Sequence, residues 1–442
     1  MSKEISNFIN KDQVTEKMNQ QHGAITLGGK FAVLIEGDAP GEGQTVNFMS
    51  LPDIRNVYAN KCVTINNGDK IKEVNPVNIW LKHPARREYK GIVFEPGIET
   101  PGYYNMYQGF AIEPKEGDTQ IFHDHTRNII CSGDERTYTW VMDWQADLLQ
   151  NPGGDRPGTA IVMRGKQGVG KGAFVKTPEK ILGQHFKHVT GQEQFTGRFN
   201  SHLKDGLLVY VDEGYWAGSK QSEGKLKALI TEDKTLLELK FKEPVFIKNH
   251  IRLVIASNSE WVVPAGMEER RMCVLDVSED RRGDRRYFKR LFEWIEGPGP
   301  SALLYELLKR EIKADLRTIP RTAALLDQIL QSLDSVGKFW YSRLYDGSIG
   351  NDGSWSQYVR TSTAYQQYQN FCSDIRERHP VADNQFTKQI RKLAPGIQPT
   401  RKPYDGKRHR ALGLPYLDNC RESFESLVDM EIDWDDTEST PF

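Results

Sequence analysis

The sequence predicts an α/β fold for its central part, about residues 156–280, in which helices flank a β-sheet. Three apolar runs have the length and β-branched content of buried strands, and they lie at Ala160–Met163, Leu207–Val211 and Ile251–Ala256. A glycine-rich segment, two acids and a polar segment follow these runs in turn. The stretches between the runs are long enough for helices, as an alternating strand–helix pattern requires.

The glycine-rich segment after the first run matches the G-x-x-x-x-G-K part of a phosphate-binding loop (P-loop). Its glycines allow a tight turn that exposes backbone N–H groups to an anion, and the following helix points its positive end there. Lys171 adds a mobile charge for the β- and γ-phosphates. Gly172 replaces the usual Ser or Thr, so the customary hydroxyl ligand of Mg²⁺ is missing. The alternative is a tight strand–helix connection. The predicted nucleotide-binding residues are Gly165, Lys166, Gln167, Gly168, Val169, Gly170, Lys171, Gly172 and Ala173.

Polar residues that suit phosphoryl transfer follow the second and third runs. Asp212 and Glu213 close the second run, as in the Walker B arrangement of ATPases. Asp212 can hold Mg²⁺ through water, and Glu213 can orient and deprotonate the attacking water. Asn258 follows the third run, where an amide can contact the γ-phosphate. The alternatives are two surface acids at a strand end and an asparagine in a turn.

A β-hairpin is predicted over residues 236–247, which alternate, break near residues 242–244 and alternate again. Its tip is basic and aromatic. Lys240 and Lys242 suit contacts with DNA phosphates, and Phe241 can brace them. The alternative is a solvated hairpin tip.

Two arginines, Arg270 and Arg271, precede a further strand-like run at Met272–Asp276. An arginine at the entrance to an edge strand can reach the nucleotide of a neighbouring subunit and stabilise charge there as an arginine finger. The alternative is a salt bridge with the adjacent Glu268 or Glu269.

The segments before the central fold have a different character. Residues 1–125 predict a small mixed α+β domain, because apolar runs such as Phe31–Ile35 alternate with turn residues. His123 and His125 can be imagined as metal ligands, but two such histidines in a polar segment are more often plain polar residues. Thr137–Gln150 has apolar residues at helical spacing, which predicts a helix beside the central fold.

Composition restricts the class of protein. The 442 residues carry a formal net charge of −1, so any nucleic-acid binding must come from local patches. The five cysteines form no C-x-x-C pair, which indicates reduced thiols rather than a zinc site. The start of the sequence lacks an apolar signal core, and no run approaches the ~18–20 apolar residues of a membrane span. We expect a soluble protein of the cytoplasm.

The C-terminal part predicts helices followed by a basic hairpin. Ser301–Ile312 has an apolar face and is expected to be capped by Ser301. Two helices are expected around Tyr365–Phe371 and Phe386–Leu393, and a hairpin over Arg401–Arg410. This order resembles a winged-helix DNA-binding domain; the alternative is a basic, solvated appendage. The predicted DNA-binding residues here are Lys388, Arg391, Lys407 and Arg408.

The order of the motifs is more specific than any one of them. GKQGVGKG, LLVYVDE, a basic hairpin, LVIASN and ERRMCVLDV succeed one another as in superfamily 3 helicases. The chain resembles the helicase module of phage and plasmid primase-helicases, firmly over about residues 125–335. The resemblance implies an AAA+-type ATPase that works as a ring, usually a hexamer, with ATP and Mg²⁺ between subunits. That family includes forms with glycine after the loop lysine.

The resemblance also assigns roles to single residues. Arg271 fits the position of the arginine finger better than Arg270, because it directly precedes the strand. Lys240 matches the hairpin lysine that tracks single-stranded DNA in the channel of the ring. The positions that act on the nucleotide within one subunit are Lys171, Asp212, Glu213 and Asn258.

Five regions follow from these patterns: residues 1–125, a helical collar at 126–155, the ATPase core at 156–335, a winged-helix-like domain at 336–420 and an acidic tail at 421–442. The tail is expected to be disordered. Its end, Pro441–Phe442 after several acids, resembles the tip of bacterial single-stranded-DNA-binding proteins. The tail can therefore compete for host replication proteins or fold back onto the DNA channel, or be an inert solubilising segment.

We expect an ATP-driven ring helicase that moves on single-stranded DNA and unwinds duplex during phage or mobile-element replication. Three alternatives stay open. One is an ATPase that loads or melts DNA without processive unwinding, and a second is an RNA helicase. The third is a DNA-binding module whose nucleotide site is weakened by Gly172. Residues 1–125 contain no cluster of acids that would indicate a fused primase.

Overall fold

The amino-terminal part is a small sheet covered by helices. The computed structural model describes residues 10–27, 29–39, 43–66, 71–190, 203–213, 220–237, 245–349 and 353–435. Four strands form a sheet in the order β3-β2-β1-β6, with β6 parallel to β1. The elements are α1 (Lys11–Asn19), β1 (His22–Leu27), β2 (Lys30–Ala39), β3 (Gly43–Met49), α2 (Leu51–Val57), β4 (Val63–Asn66), β5 (Ile71–Val74), α3 (Pro76–Lys82), β6 (Glu88–Tyr89), β7 (Ile92–Val93) and β8 (Tyr104–Asn105).

A helical segment then leads to the central fold. It comprises α4 (Gln120–His125), a π-helical turn (Thr126–Ile130) and α5 (Glu135–Gln150). The Asp134 side chain caps α5 by accepting hydrogen bonds from the Arg136 and Thr137 amides. The apolar stripe of α5 is buried, so the helix predicted from its spacing is confirmed.

The central fold is a parallel five-stranded sheet with the order β10-β11-β14-β9-β15. Its strands are buried almost throughout, which explains their continuous apolar runs. The three strands predicted from those runs are confirmed, within one residue at most ends. The elements are β9 (Ala160–Arg164), α6 (Lys171–Leu182), β10 (Phe186–Thr190), β11 (Leu208–Asp212), α7 (Lys220–Thr231), β12 (Lys234–Leu237), β13 (Val245–Lys248), β14 (Arg252–Ser257) and β15 (Met272–Asp276).

The predicted hairpin between the second and third runs is confirmed. β12 and β13 pair antiparallel, with Lys234 opposite Lys248 and Leu237 opposite Val245. The tip that carries Lys240, Phe241 and Lys242 lies outside the described residues.

The C-terminal part is helical with one small sheet. β16, β18 and β17 pair antiparallel in that order, and β17–β18 is the predicted basic hairpin. The expected cap at Ser301 is wrong: the helix begins at Gly299, with Pro300 in its first turn, where proline is favoured. The elements are α8 (Arg285–Glu296), α9 (Gly299–Lys309), α10 (Ala323–Ser332), α11 (Ser335–Asp346), β16 (Tyr358–Arg360), α12 (Thr361–Asp374), α13 (Asp383–Leu393), β17 (Gln398–Tyr404), β18 (Lys407–Gly413) and α14 (Leu417–Val428).

The main hydrophobic core runs without a break from the central sheet into these C-terminal helices. A smaller core joins α1, α3 and one face of the amino-terminal sheet. Cys62 is exposed and the other four cysteines are buried, all of them as free thiols. Among the described helices, none is both long and apolar enough to cross a membrane.

Candidate functional site

The candidate site begins in the loop between β9 and α6. Gly168 and Gly170 have φ angles of +84° and +112°, a left-handed backbone that glycine adopts without strain. A Cβ atom at residue 170 would also lie 2.5 Å from Cε1 of His125. No side chain caps α6; the Ala173 and Phe174 amides donate to the Gly170 carbonyl, so an anion could be held by the amides of Lys171 and Gly172.

Lys171, the first residue of α6, is folded back onto this loop. Its side chain is buried, and Nζ donates hydrogen bonds to the Gly165 carbonyl, the Lys166 carbonyl (3.0 Å) and Oδ1 of Asn258 (2.9 Å). Burial lowers the pKa of Lys171, and the charge of Asp212 opposes that shift. The structure therefore brings together Lys171, Asp212 and Asn258, which follow the three predicted strands in turn.

Asp212 and Glu213 lie at the carboxyl end of β11. Oδ1 of Asp212 accepts hydrogen bonds from the Tyr210 hydroxyl (3.0 Å) and from the Glu213 amide (3.1 Å). Glu213 is exposed, and its φ of +54° is a left-handed conformation that costs a non-glycine residue about 1 kcal/mol. That backbone turns the chain sharply at the edge of the site.

A cavity of about 600 Å³ lies between the loop and these acids. Its volume falls within the range of about 300–1,000 Å³ that small-molecule pockets occupy. Phe288 and Phe292 of α8 complete its wall, and Phe292 is 40% exposed. Aromatic faces of this kind stack on nucleobases. No motif in the sequence predicts a place for these two residues in the site, although their spacing of four places them on one face of a helix.

His125, which the sequence pattern indicates to be a plain polar residue, is buried against the glycine-rich loop. Its Nε2 lies 3.1 Å from the Gly170 carbonyl and its Nδ1 lies 3.0 Å from the Tyr287 hydroxyl. Burial lowers the pKa of His125 to about 4. His123 instead contacts Glu306 and Tyr138, so the two histidines do not converge on a common ligand.

The donors in the cavity fit Mg²⁺ that is bound together with a nucleotide. Among the described residues, no group of three or more His, Cys, Asp and Glu side chains could hold a metal ion alone. Mg²⁺ in nucleotide sites commonly uses only one or two carboxylates, and water and phosphate oxygens complete its shell. Asp212 could supply such a carboxylate, and Lys171 and the loop amides could supply phosphate contacts.

Arg271 lies at the opposite end of the strands, at the amino end of β15. The Ala160 amide donates a hydrogen bond to its carbonyl (2.7 Å), at the amino end of β9. Its side chain is half-buried, its Nε has no hydrogen-bond partner, and no described carboxylate lies within the 4.0 Å salt-bridge distance of Arg271 or of the exposed Arg270. Glu269 instead accepts from the backbone amides of both arginines. The expected salt-bridge alternative is therefore absent among the described residues.

The C-terminal hairpin concentrates positive charge on both of its faces. Arg401 lies directly opposite Arg410, and Lys402 lies opposite His409. Nζ of Lys402 is 3.7 Å from the centre of the exposed Tyr358 ring. The predicted DNA-binding residues Lys388, Lys407 and Arg408 are exposed, and Nε of the exposed Arg391 is 3.4 Å from the Ile397 carbonyl.

Comparisons with known proteins agree with this architecture. Residues 163–271, from the end of β9 to Arg271, match the model of DUF5906, a family of unknown function. The DNA primase-polymerase of Nitratiruptor phage NrS-1 is 29% identical over 191 residues, which are 42% of this chain and 26% of that protein. The match thus spans about a quarter of this relative, and it indicates homology.

Solved structures of the same phage protein share the fold. The apo structure of the NrS-1 C-terminal region (305–718) has a TM-score of 0.65 at 16% identity, covering 93% of this chain and 100% of that one. An A-form apo structure of this region has a TM-score of 0.65 at 16% identity, and the match covers 91% of this chain and 99% of that one. The fold is therefore mixed α/β with a parallel sheet, as in that region.

Proposed function

We propose that this chain is an ATP-driven motor that moves on single-stranded DNA and unwinds duplex during phage or mobile-element replication. The observation that carries the proposal is the convergence of Lys171, Asp212, Glu213 and Asn258 on one cavity beside the glycine-rich loop. A role in phage DNA replication agrees with the homology to a phage DNA primase-polymerase.

The chemistry proposed for this cavity is transfer of the γ-phosphoryl group of ATP to water. Such reactions need positioning and charge neutralisation rather than covalent catalysis. Lys171 and the loop amides would hold the phosphates, and Asp212 would hold Mg²⁺ through water; the ion would supply neutralisation of the phosphate charge. Glu213 orients the attacking water and accepts its proton, while Asn258 contacts the γ-phosphate.

DNA binding is proposed for two basic regions. One is the hairpin tip with Lys240, Phe241 and Lys242, which lies outside the described residues. The other is the C-terminal part, where β16, α12, α13 and the β17–β18 hairpin have the order of a winged-helix domain. Two arginines directly opposite each other destabilise a hairpin, so the pair Arg401–Arg410 is supporting evidence for a polyanionic partner.

The motor is proposed to be a ring, most simply a hexamer, with each nucleotide between two subunits. The expected measurement is the oligomeric mass with and without a non-hydrolysable ATP analogue. A shift from smaller species to a closed ring on addition of the analogue supports the proposal. A monomer under both conditions contradicts it.

Hydrolysis and unwinding test the function directly. Wild type should hydrolyse ATP with Mg²⁺, faster when single-stranded DNA is present, and displace a strand from forked DNA. Lys171→Ala and Glu213→Gln should lose hydrolysis by at least tenfold. Lys180→Ala is a matched control, because Lys180 is a half-buried lysine on the same helix that pairs with Glu296 outside the cavity. DNA-stimulated hydrolysis without strand displacement would favour a loading or melting ATPase.

Gly172 favours a second candidate function, a DNA-binding module with a weakened nucleotide site. Without the customary hydroxyl, Mg²⁺ loses one protein ligand. If wild type binds DNA but hydrolyses no ATP with Mg²⁺ and DNA, this second function replaces the motor.

The acidic end of the chain is proposed to bind host replication proteins or the DNA channel. The expectation of disorder over residues 421–442 is wrong for their first part, because α14 continues to Val428 and the Trp434 ring packs against Tyr341. The last residues, 436–442, lie outside the described part of the chain. Deletion of residues 437–442 should change DNA affinity or the capture of purified host replication proteins. An unchanged result in both assays would leave the tail as a solubilising segment.

A further inference from the structure

Position 172 lacks a hydroxyl but has room for one. Gly172 is exposed in the first turn of α6 and lines the nucleotide cavity. A Cβ atom at this position would meet nothing within 4 Å, and the residue does not have a left-handed φ. Packing therefore does not require glycine here, and the missing hydroxyl needs a chemical explanation.

Tyr210 brings a hydroxyl to the same cavity from the sheet. Among the described residues that line the cavity, it alone carries a hydroxyl group. Side chains alternate along a strand, so Tyr210 and Asp212 of β11 share one face. The Tyr210 hydroxyl donates a hydrogen bond of 3.0 Å to Oδ1 of Asp212, while its ring packs against Phe186 and His188.

The side chain of Tyr210 is only 5% exposed, between the buried neighbours Val209 and Val211. A buried hydroxyl in an apolar strand is costly unless a partner uses it. Here the partner is the carboxylate that faces the metal position, and a hydrogen bond to a charged group is stronger than one between neutral groups. The hydroxyl thus restricts the orientation of Asp212 through Oδ1, while Oδ2 lies 3.7 Å from Nε2 of His188.

We infer that Tyr210 is a positioning residue that compensates for the missing hydroxyl at position 172 by orienting Asp212 for Mg²⁺-dependent nucleotide binding. This inference rests on the proposed nucleotide site. It explains how a loop that ends in Lys171-Gly172 keeps a functional metal position with one protein ligand fewer. Tyr210 acts through Asp212 and is not itself assigned a contact with the metal or the nucleotide.

A binding experiment with a rescue design tests the inference without relying on catalysis. A fluorescent non-hydrolysable ATP analogue is bound to the full chain while Mg²⁺ is titrated. Tyr210→Phe keeps the ring and its packing, so the fold is preserved while the hydroxyl is lost. We expect the Mg²⁺ concentration at half-saturation to rise about tenfold in this variant, with little change in binding measured without Mg²⁺.

Restoring a hydroxyl at position 172 should rescue the loss. Gly172→Ser in the Tyr210→Phe background is expected to return the half-saturating Mg²⁺ concentration to within about threefold of wild type. Gly172→Ala in the same background is the matched control, since it adds the Cβ without the hydroxyl, and it should not rescue. The free energy of unfolding of each variant, measured in urea, shows whether folding has changed.

Two results would overturn the inference while leaving the proposed function intact. One is a Tyr210→Phe variant that responds to Mg²⁺ as wild type does. The other is equal rescue by Gly172→Ser and Gly172→Ala, which would assign the effect to helix propensity. Wild type that binds no analogue at any Mg²⁺ concentration would overturn the nucleotide site and, with it, the role of Tyr210.

Discussion

At the scale of single residues, His125 holds Gly170 in the glycine-rich loop through a hydrogen bond to its carbonyl. A carbonyl oxygen can only accept, so Nε2 of His125 must carry the proton that is donated to Gly170. Nδ1 then accepts from the Tyr287 hydroxyl, which links the loop to α8. The imidazole is neutral in this arrangement, in agreement with its pKa of about 4.

His125 should make the protein sensitive to mild acid. Its pKa is about 4 in the folded protein, below the ordinary value of 6.5, so the unfolded chain binds the extra proton between these values. Stability should therefore fall as the pH is lowered from 6.5 towards 4, by about 2 kcal/mol at pH 5 from this group. The free energy of unfolding in urea at pH 7.5, 6 and 5 measures the loss.

His125→Gln is the variant for comparison, because the amide nitrogen keeps a donor for Gly170 and does not titrate. The variant should lose less stability than wild type over the same pH range. Burial also lowers the pKa values of His22, His185 and His250, but these residues are present in both proteins and cancel in the difference. Parallel pH profiles of the two proteins would contradict the prediction.

At the scale of elements, α5 is attached to the central sheet by a buried ion pair. Nη2 of Arg252 in β14 lies 2.5 Å from Oδ2 of Asp147 in α5, and the arginine side chain is 1% exposed. Burial lowers the pKa of Arg252, and the charge of Asp147 opposes that shift. The apolar stripe of α5 explains why the helix packs on the sheet, whereas this pair fixes where it packs.

Removal of one partner of this pair should be costly. Asp147→Asn leaves the Arg252 charge buried and unpaired, so we expect a loss of about 3–5 kcal/mol in the free energy of unfolding, measured in urea. Replacing both residues, as in Asp147→Leu with Arg252→Met, should recover much of this loss. A double variant less stable than Asp147→Asn would show that the loss in the free energy of unfolding comes from packing rather than from the unpaired charge.

In the basic C-terminal hairpin, the like charges that are expected to bind DNA should also lower the stability of the hairpin. Arg410→Glu places a negative charge directly opposite Arg401. This pair should stabilise the hairpin by about 0.5 kcal/mol. The same change should weaken binding to DNA severalfold and make the dependence of affinity on salt shallower. Arg378→Glu, an exposed arginine outside the hairpin, is the matched control. Equal weakening by both variants would indicate a general charge effect rather than a defined contact.

The elements and part of the site were predictable because their signals are local in sequence. Apolar runs predicted the strands β9, β11 and β14. Because Lys171, Asp212 and Asn258 each follow one of these runs, they were expected at the carboxyl ends of the strands. The places of His125, Tyr210 and Phe292 at the site were not predicted, because they depend on contacts between segments that are distant in sequence. The expected cap at Ser301 is wrong because Pro300 lies in the first turn of the helix, so the helix begins before the serine.

At the scale of the whole molecule, Arg271 and the candidate cavity lie at opposite ends of two neighbouring strands. β9 and β15 are parallel, with Ala160 beside Met272 and Arg164 beside Asp276. About five residues of strand separate Arg271 from the glycine-rich loop, which is roughly 16 Å along the strands. If the proposed nucleotide binds in the cavity, Arg271 is too far away to contact it within one subunit, so the proposed finger role requires a neighbouring subunit.

Mixing two inactive variants tests this requirement. Arg271→Ala and Lys171→Ala subunits should each hydrolyse little ATP alone, since one lacks the finger and the other lacks the phosphate contact. In a mixed ring, a Lys171→Ala subunit supplies Arg271 to the intact loop of an Arg271→Ala neighbour, so activity should reappear and peak near equal amounts. Arg270→Ala should stay active alone, because Arg271 rather than Arg270 directly precedes the strand and is the expected finger. Mixtures no more active than the sum of their parts would show that each subunit hydrolyses ATP without its neighbour's Arg271.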